Sequence, residues 1–134
     1  KILLDPAHGH NTPGKRSPDG TLLEYAYTRD LANQILATLQ SKGHNAQLLV
    51  PETEDIPLKE RVRRANAICT AQGPANVLLI SIHINAAGDP DWEENFFMDN
   101  KQDLAYLLSQ EGRREIIETI IDGIERCVLT LVSG

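Results

Sequence analysis

Three side chains stand out for their chemistry. His8 follows a short apolar run, Lys1-Ile-Leu-Leu-Asp5, at a Pro-Ala-His-Gly turn. His83 closes a second apolar run, Val77-Leu-Leu-Ile-Ser-Ile-His-Ile84, and Glu24 opens a helical stretch between the two. Two imidazoles and one carboxylate, with a fourth position left to water, make a catalytic zinc arrangement. The donors suit Zn²⁺, which lowers the pKa of a bound water to about 7. Each residue alone has a plainer reading. A histidine after a strand serves as a turn or capping residue, and a glutamate at a helix start is favoured by the helix dipole.

The case for joining them rests on the elements that carry them. The runs ending at His8 and His83 read as strands, from their length and bounding turn signals. A third short run, Gln47-Leu-Leu-Val50, is closed by Pro51. Between the first two strands in chain order, Tyr27, Leu31, Ile35 and Leu39 recur every four residues, with Ala32 and Leu36 beside them, which predicts a helix over 22–42 with Gly43 just past its end. Pro57 starts a second helix, whose stripe Leu58, Val62, Ala65 and Cys69 is expected to face the core. Arg61, Arg63 and Arg64 around it read as a solvated face, paired with Glu52, Glu54 or Glu60. Leu104, Leu107 and Leu108, then Ile116, Ile117, Ile120, Ile121 and Ile124, mark helical stripes in the last third.

Strand, helix, strand, helix, strand implies right-handed crossovers. The expected fold is a single α/β domain with a mostly parallel central sheet and helices on both faces. In such sheets ligands bind beyond the C-terminal strand ends, where His8 and His83 both fall and where the Glu24 helix begins. Alternation along the third strand puts Ser81, His83 and Asn85 on one face and Ile80, Ile82 and Ile84 on the other. The nearly all-apolar character of that strand predicts cover on both faces. His10 and His44 have no such placement, and His44 reads as solvated.

Composition narrows the functional classes. The chain has 134 residues, a net charge of −6 and 41% apolar residues, enough for one domain with its own core. An acidic chain without a basic run argues against nucleic acid or an anionic membrane as partner. No apolar stretch approaches the roughly 18 residues of a membrane span. Two cysteines do not make a disulfide framework. No signal peptide is visible ahead of the first strand, which leaves the compartment undecided.

Four segments in order carry a resemblance: Ile2-Leu-Leu-Asp-Pro-Ala-His-Gly9, Glu24 opening a helix, Leu58-x-x-Arg61-x-x-x-Ala65-Asn66, and Ser81-Ile-His-Ile-Asn-Ala86. Together they resemble the zinc-dependent N-acetylmuramoyl-L-alanine amidases, a family of cell-wall hydrolases. The resemblance implies zinc ligands at His8, Glu24 and His83. It implies peptidoglycan or muropeptide as substrate, and a place in the cell envelope or outside the cell. Glu94, in Glu94-Asn-Phe-Phe-Met-Asp-Asn100, matches the family's catalytic glutamate, which takes a proton from water and returns it to the leaving amine. Asn85 is a weaker candidate for orienting substrate.

Two departures accompany the resemblance. Ala7 stands where the family more often has glycine, so the first turn is expected to differ slightly. Between Ala87 and Asn95 only Gly-Asp-Pro-Asp-Trp-Glu-Glu is present, where the family has a longer stretch with a strand that delivers the glutamate. Asp89, Pro90 and Asp91 are poor strand formers. Residues 1–134 are therefore expected to form an amidase-like catalytic domain, incomplete around 88–95. The alternative is a non-catalytic zinc- or peptidoglycan-binding remnant. A metallohydrolase acting on another amide is a third reading. Oligomeric state is not set by these features.

Overall fold

The computed structural model describes residues 1–12, 15–84 and 101–133. Three parallel strands form the sheet: β1 (Ile2–Pro6), β2 (Ala46–Leu48) and β3 (Leu78–Ile82), in the order β2-β1-β3. Helix α1 (Glu24–Ser41) crosses from β1 to β2, and α2 (Leu58–Gln72) from β2 towards β3. Two further helices follow, α3 (Lys101–Leu108) and α4 (Gln110–Ser133).

Central β1 is buried along its whole length, and its alternating side chains face two cores. Ile2 and Leu4 join Tyr27, Leu31, Ile35 and Leu39 of α1 and Ile117, Ile121 and Ile124 of α4. Leu3 faces the opposite side, with Leu49, Val50 and Ala65, and with Ile68 partly buried against them. Helices therefore cover both faces of a parallel sheet, as the element order predicts. Leu3, Leu4, Ile35 and Leu39 are 0% exposed, and each contributes about 1.5–3 kcal/mol of hydrophobic stabilisation. The α1 stripe and the isoleucine stripe of α4 both face this core as expected. Gly43 has φ +85° and donates to the Gln40 carbonyl at 3.0 Å, ending α1 as the sequence predicts.

Three expectations are corrected. The second strand is shorter and earlier than 47–50; Leu49 and Val50 are buried just beyond its end. In α2, Leu58 is 76% exposed and Val62 47% exposed, so they do not face the core. The inward residues are Arg61, Ala65 and Ile68, spaced i, i+4, i+7. The reason is that a charged residue can hold an inward position where its charge and donors are fully matched, and a count of apolar residues does not register that. Strand β3 is apolar yet not covered on both faces: Leu79 is 46% exposed while Ile82 is buried.

Candidate metal centre

The register of the sheet places the site. Asp5 pairs with Ser81, and Pro6 with Ile82, so β1 and β3 end side by side. The Ala7 N–H donates to the Ile82 carbonyl at 2.9 Å, extending that pairing by one step. His8 and His83 thus leave adjacent strand ends, and their rings meet edge to face with centroids 5.6 Å apart. Glu24, the first residue of α1, reaches in between them.

Glu24 Oε2 lies 3.5 Å from His8 Nε2, and Glu24 Oε1 lies 3.6 Å from His83 Nδ1. Two donors each about 2.1 Å from a tetrahedral zinc ion stand about 3.4 Å apart, so both spacings suit a shared cation. One donor atom from each of the three residues falls within 4.8 Å of the others. The His83 side chain is 54% exposed.

The burial of Glu24 gives the second test of fit. Its side chain is 2% exposed. Its charged neighbours are the two histidines, and the backbone N–H of Ile84 donates to Oε1 at 3.0 Å. A buried carboxylate facing two imidazoles, at the positive end of a helix, is a donor set fitted to a divalent cation. Burial, the largest influence, lowers the His8 pKa; Glu24 and Asp55 pull it up, while Lys15 and His83 push it down. The lowered value favours the neutral imidazole, the form that coordinates metal.

The turn that presents His8 is strained at one residue. His8 has φ +56°, the single positive value among the described non-glycine residues. Ala7 does not share it, so alanine at that position fits without the expected cost, and the unusual backbone falls one residue later. Gly9 follows for a different reason. A Cβ there would lie 2.0 Å from the backbone nitrogen of Asp55. The two loops close on each other through His10 N–H to the Thr53 carbonyl at 2.8 Å and Asp55 N–H to Asn11 Oδ1 at 2.8 Å.

Two arginines underlie this turn. Arg29 of α1 donates to the carbonyls of Ala7 at 3.1 Å, His8 at 2.7 Å and Glu52 at 2.9 Å. Arg61 of α2 donates to the Pro6 carbonyl at 2.8 Å and to Asp5 Oδ1 at 2.6 Å. They are 9% and 7% exposed. Arg61 is therefore not part of a solvated face. Arg63 does face outward, pairing with Glu60, while Arg64 is half-buried, pairing with Glu60 and Glu52 and donating to the Leu49 carbonyl at 3.2 Å. Sequence reasoning missed Arg29, and it misplaced Arg61. The available signal for Arg61 was its i, i+4, i+7 spacing with Ala65 and Ile68. His44, expected to be solvated, sits 3.3 Å from Glu125. Asn85, Glu94 and the 88–95 stretch lie outside the described residues.

The family model for N-acetylmuramoyl-L-alanine amidase matches residues 2–93. The chain belongs to the N-acetylmuramoyl-L-alanine amidase family. The matched span includes His8, Glu24 and His83 and stops one residue short of Glu94. Among solved structures, the chain is similar to the catalytic domain of CwlV, an N-acetylmuramoyl-L-alanine amidase from Bacillus (Paenibacillus) polymyxa var. colistinus. The TM-score is 0.76 at 15% identity, covering 95% of this chain and 97% of that one. It is similar also to the amidase AmiC2 of Nostoc punctiforme, with TM-score 0.76, 18% identity and 96% of each chain covered. The CwlD amidase from Clostridioides difficile, solved in complex with the GerS lipoprotein, gives TM-score 0.71 at 14% identity, covering 96% and 98%. At these identities the likeness establishes the α/β fold. No curated protein matches the chain. Among the described residues, no helix is long and apolar enough to cross a membrane.

Proposed function

We propose that this chain is a zinc-dependent amidase that cleaves the bond between the lactyl group of N-acetylmuramic acid and L-alanine of the peptidoglycan stem peptide. The observation that carries the reading is the buried Glu24 carboxylate held between His8 and His83 within a matched amidase span. Zinc, when bound, would act as a Lewis acid towards the amide carbonyl and lower the pKa of a bound water to about 7. His8 and His83 would hold it as neutral imidazoles, and Glu24 would offset its charge. Glu94 would take a proton from the attacking water and deliver it to the leaving amine of L-alanine. The carbonyl carbon gains a C–O bond and loses the C–N bond. Asn85 would orient the substrate. Residues 1–134 would form one catalytic domain, departing from the family pattern at 88–95, and its place of action would be the cell wall.

The test is release of stem peptide from purified peptidoglycan. Added Zn²⁺ should support release and a chelator should abolish it. Glu94→Gln should keep zinc bound and stop turnover. Full activity of the metal-free protein would overturn the reading. Zinc and wall binding without release would instead support a non-catalytic remnant.

A further inference from the structure

Arg29 and Arg61 come from helices on opposite faces of the sheet, yet their donors converge on one turn. Between them they reach the carbonyls of Pro6, Ala7 and His8, three consecutive residues leading to the side chain of His8. Thr28 adds a hydroxyl to the Ala7 carbonyl at 3.3 Å. Carbonyls at the end of a parallel strand have lost their ladder partners, and buried ones need donors. A planar guanidinium supplies several donors in a fixed fork, which an ammonium cannot.

The geometry also ties the two histidine-bearing strands together. Arg61 Nη1 binds Asp5 Oδ1 at 2.6 Å, and Ser81 Oγ donates to Asp5 Oδ2 at 3.2 Å. Ser81 lies two residues before His83 on β3. One guanidinium therefore sets both the turn of His8 and, through Asp5, the strand end of His83. A left-handed backbone at a non-glycine residue is unfavourable and persists where its surroundings over-determine it. The Arg29 and Arg61 donors to the His8 carbonyl, at 2.7 Å and 3.4 Å, are such surroundings.

We propose that Arg29 and Arg61 are positioning residues for His8, holding its turn in the left-handed conformation that aims the imidazole at Glu24 and His83. The proposal rests on the reading of His8, Glu24 and His83 as a zinc site. It assigns a function to the buried arginine of α2 and to an arginine that lies outside the sequence motifs.

The experiment measures Zn²⁺ affinity of the full chain by competition with a chromophoric chelator, together with the visible spectrum of the Co²⁺-loaded form. Arg29→Lys and Arg61→Lys keep the charge and lose the fork. Each should weaken Zn²⁺ binding roughly 10- to 100-fold, as loss of ligand-orienting partners does, and alter the Co²⁺ spectrum. Arg63→Ala, at an outward arginine on the same helix, should change neither. Tyr27→Phe removes a buried hydrogen bond away from the site, so it should lower stability while leaving Zn²⁺ affinity intact. Asp5→Asn, which keeps the side chain's shape but loosens the grip on Arg61, gives the same reading should a lysine variant not fold. Wild-type affinity in both lysine variants would overturn the positioning role and leave the zinc site standing. A loss in Tyr27→Phe equal to theirs would overturn it too, by showing general destabilisation. If wild-type protein takes up no Zn²⁺, the zinc reading itself fails, and the positioning role with it.

Discussion

The backbone N–H of Ile84 donates to Glu24 Oε1 at 3.0 Å, tying the first residue of α1 to the end of β3. One carboxylate thus does two jobs: it satisfies a buried donor and faces both histidines. The two jobs separate by substitution. Glu24→Gln keeps an acceptor for Ile84 and should fold nearly as well as wild type while losing most of its zinc affinity. Glu24→Ala strands the donor, which costs about 1–3 kcal/mol, and loses zinc as well. Urea unfolding of the metal-free proteins compares the two. Equal stability would show that the Ile84 bond contributes nothing.

Gly9 is expected to tolerate no side chain. A Cβ there meets backbone atoms of Glu54 and Asp55 within 2.5 Å, and backbone cannot swing aside as a flexible side chain can. Gly9→Ala should force the His8 turn and the 52–55 loop apart, destabilising the fold by about 2 kcal/mol or more. Thermal unfolding reads the loss, and zinc affinity should fall with it.

Helix α2 offers a test of which face points inward. Val62→Ala, at a position 47% exposed, should change stability by no more than about 0.5 kcal/mol. Ala65→Leu overfills a buried position against Leu3 and Val50 and should cost about 1–3 kcal/mol. Denaturant midpoints distinguish this from an inward stripe of Leu58, Val62, Ala65 and Cys69, for which Val62→Ala would be clearly destabilising as well.

Tyr27 sets a pH dependence. Its hydroxyl donates to the Leu107 carbonyl at 2.6 Å, linking α1 to α3. Burial is the main cause that pushes its pKa up from 10.0 to about 12, and the Arg113 charge opposes it. A raised folded pKa means the contribution is complete below pH 10. It is lost as pH rises from there towards 12, because the unfolded chain ionises first. Wild type should exceed Tyr27→Phe in stability by about 1 kcal/mol at neutral pH, and the gap should shrink above pH 10. A constant gap up to pH 12 would contradict this account.

Much of this protein is decided locally. The four-residue spacing from Tyr27 to Leu39 marks α1 and the face it packs on the core, and the strand-helix order constrains the sheet to be parallel, which brings the ends carrying His8 and His83 to the same edge. The grouping of His8, Glu24 and His83 could also be anticipated from the amino acids, because two strand ends and one helix start are points that the topology brings together. What the sequence did not show was how the turn at His8 is held. Arg61 lies 53 positions from His8 and Arg29 lies 21; Arg61 shares helical spacing with Ala65 and Ile68, but an apolar stripe does not count a charged residue. An arginine in a helix reads as solvated until its donors are seen to meet backbone carbonyls, and those carbonyls are orphaned only by the way β1 ends between β2 and β3. Hydrophobic spacing is a property of neighbours along the chain. The matching of buried donors to acceptors is a property of three-dimensional space, and that matching decided the inward face of α2 and the setting of the candidate zinc site.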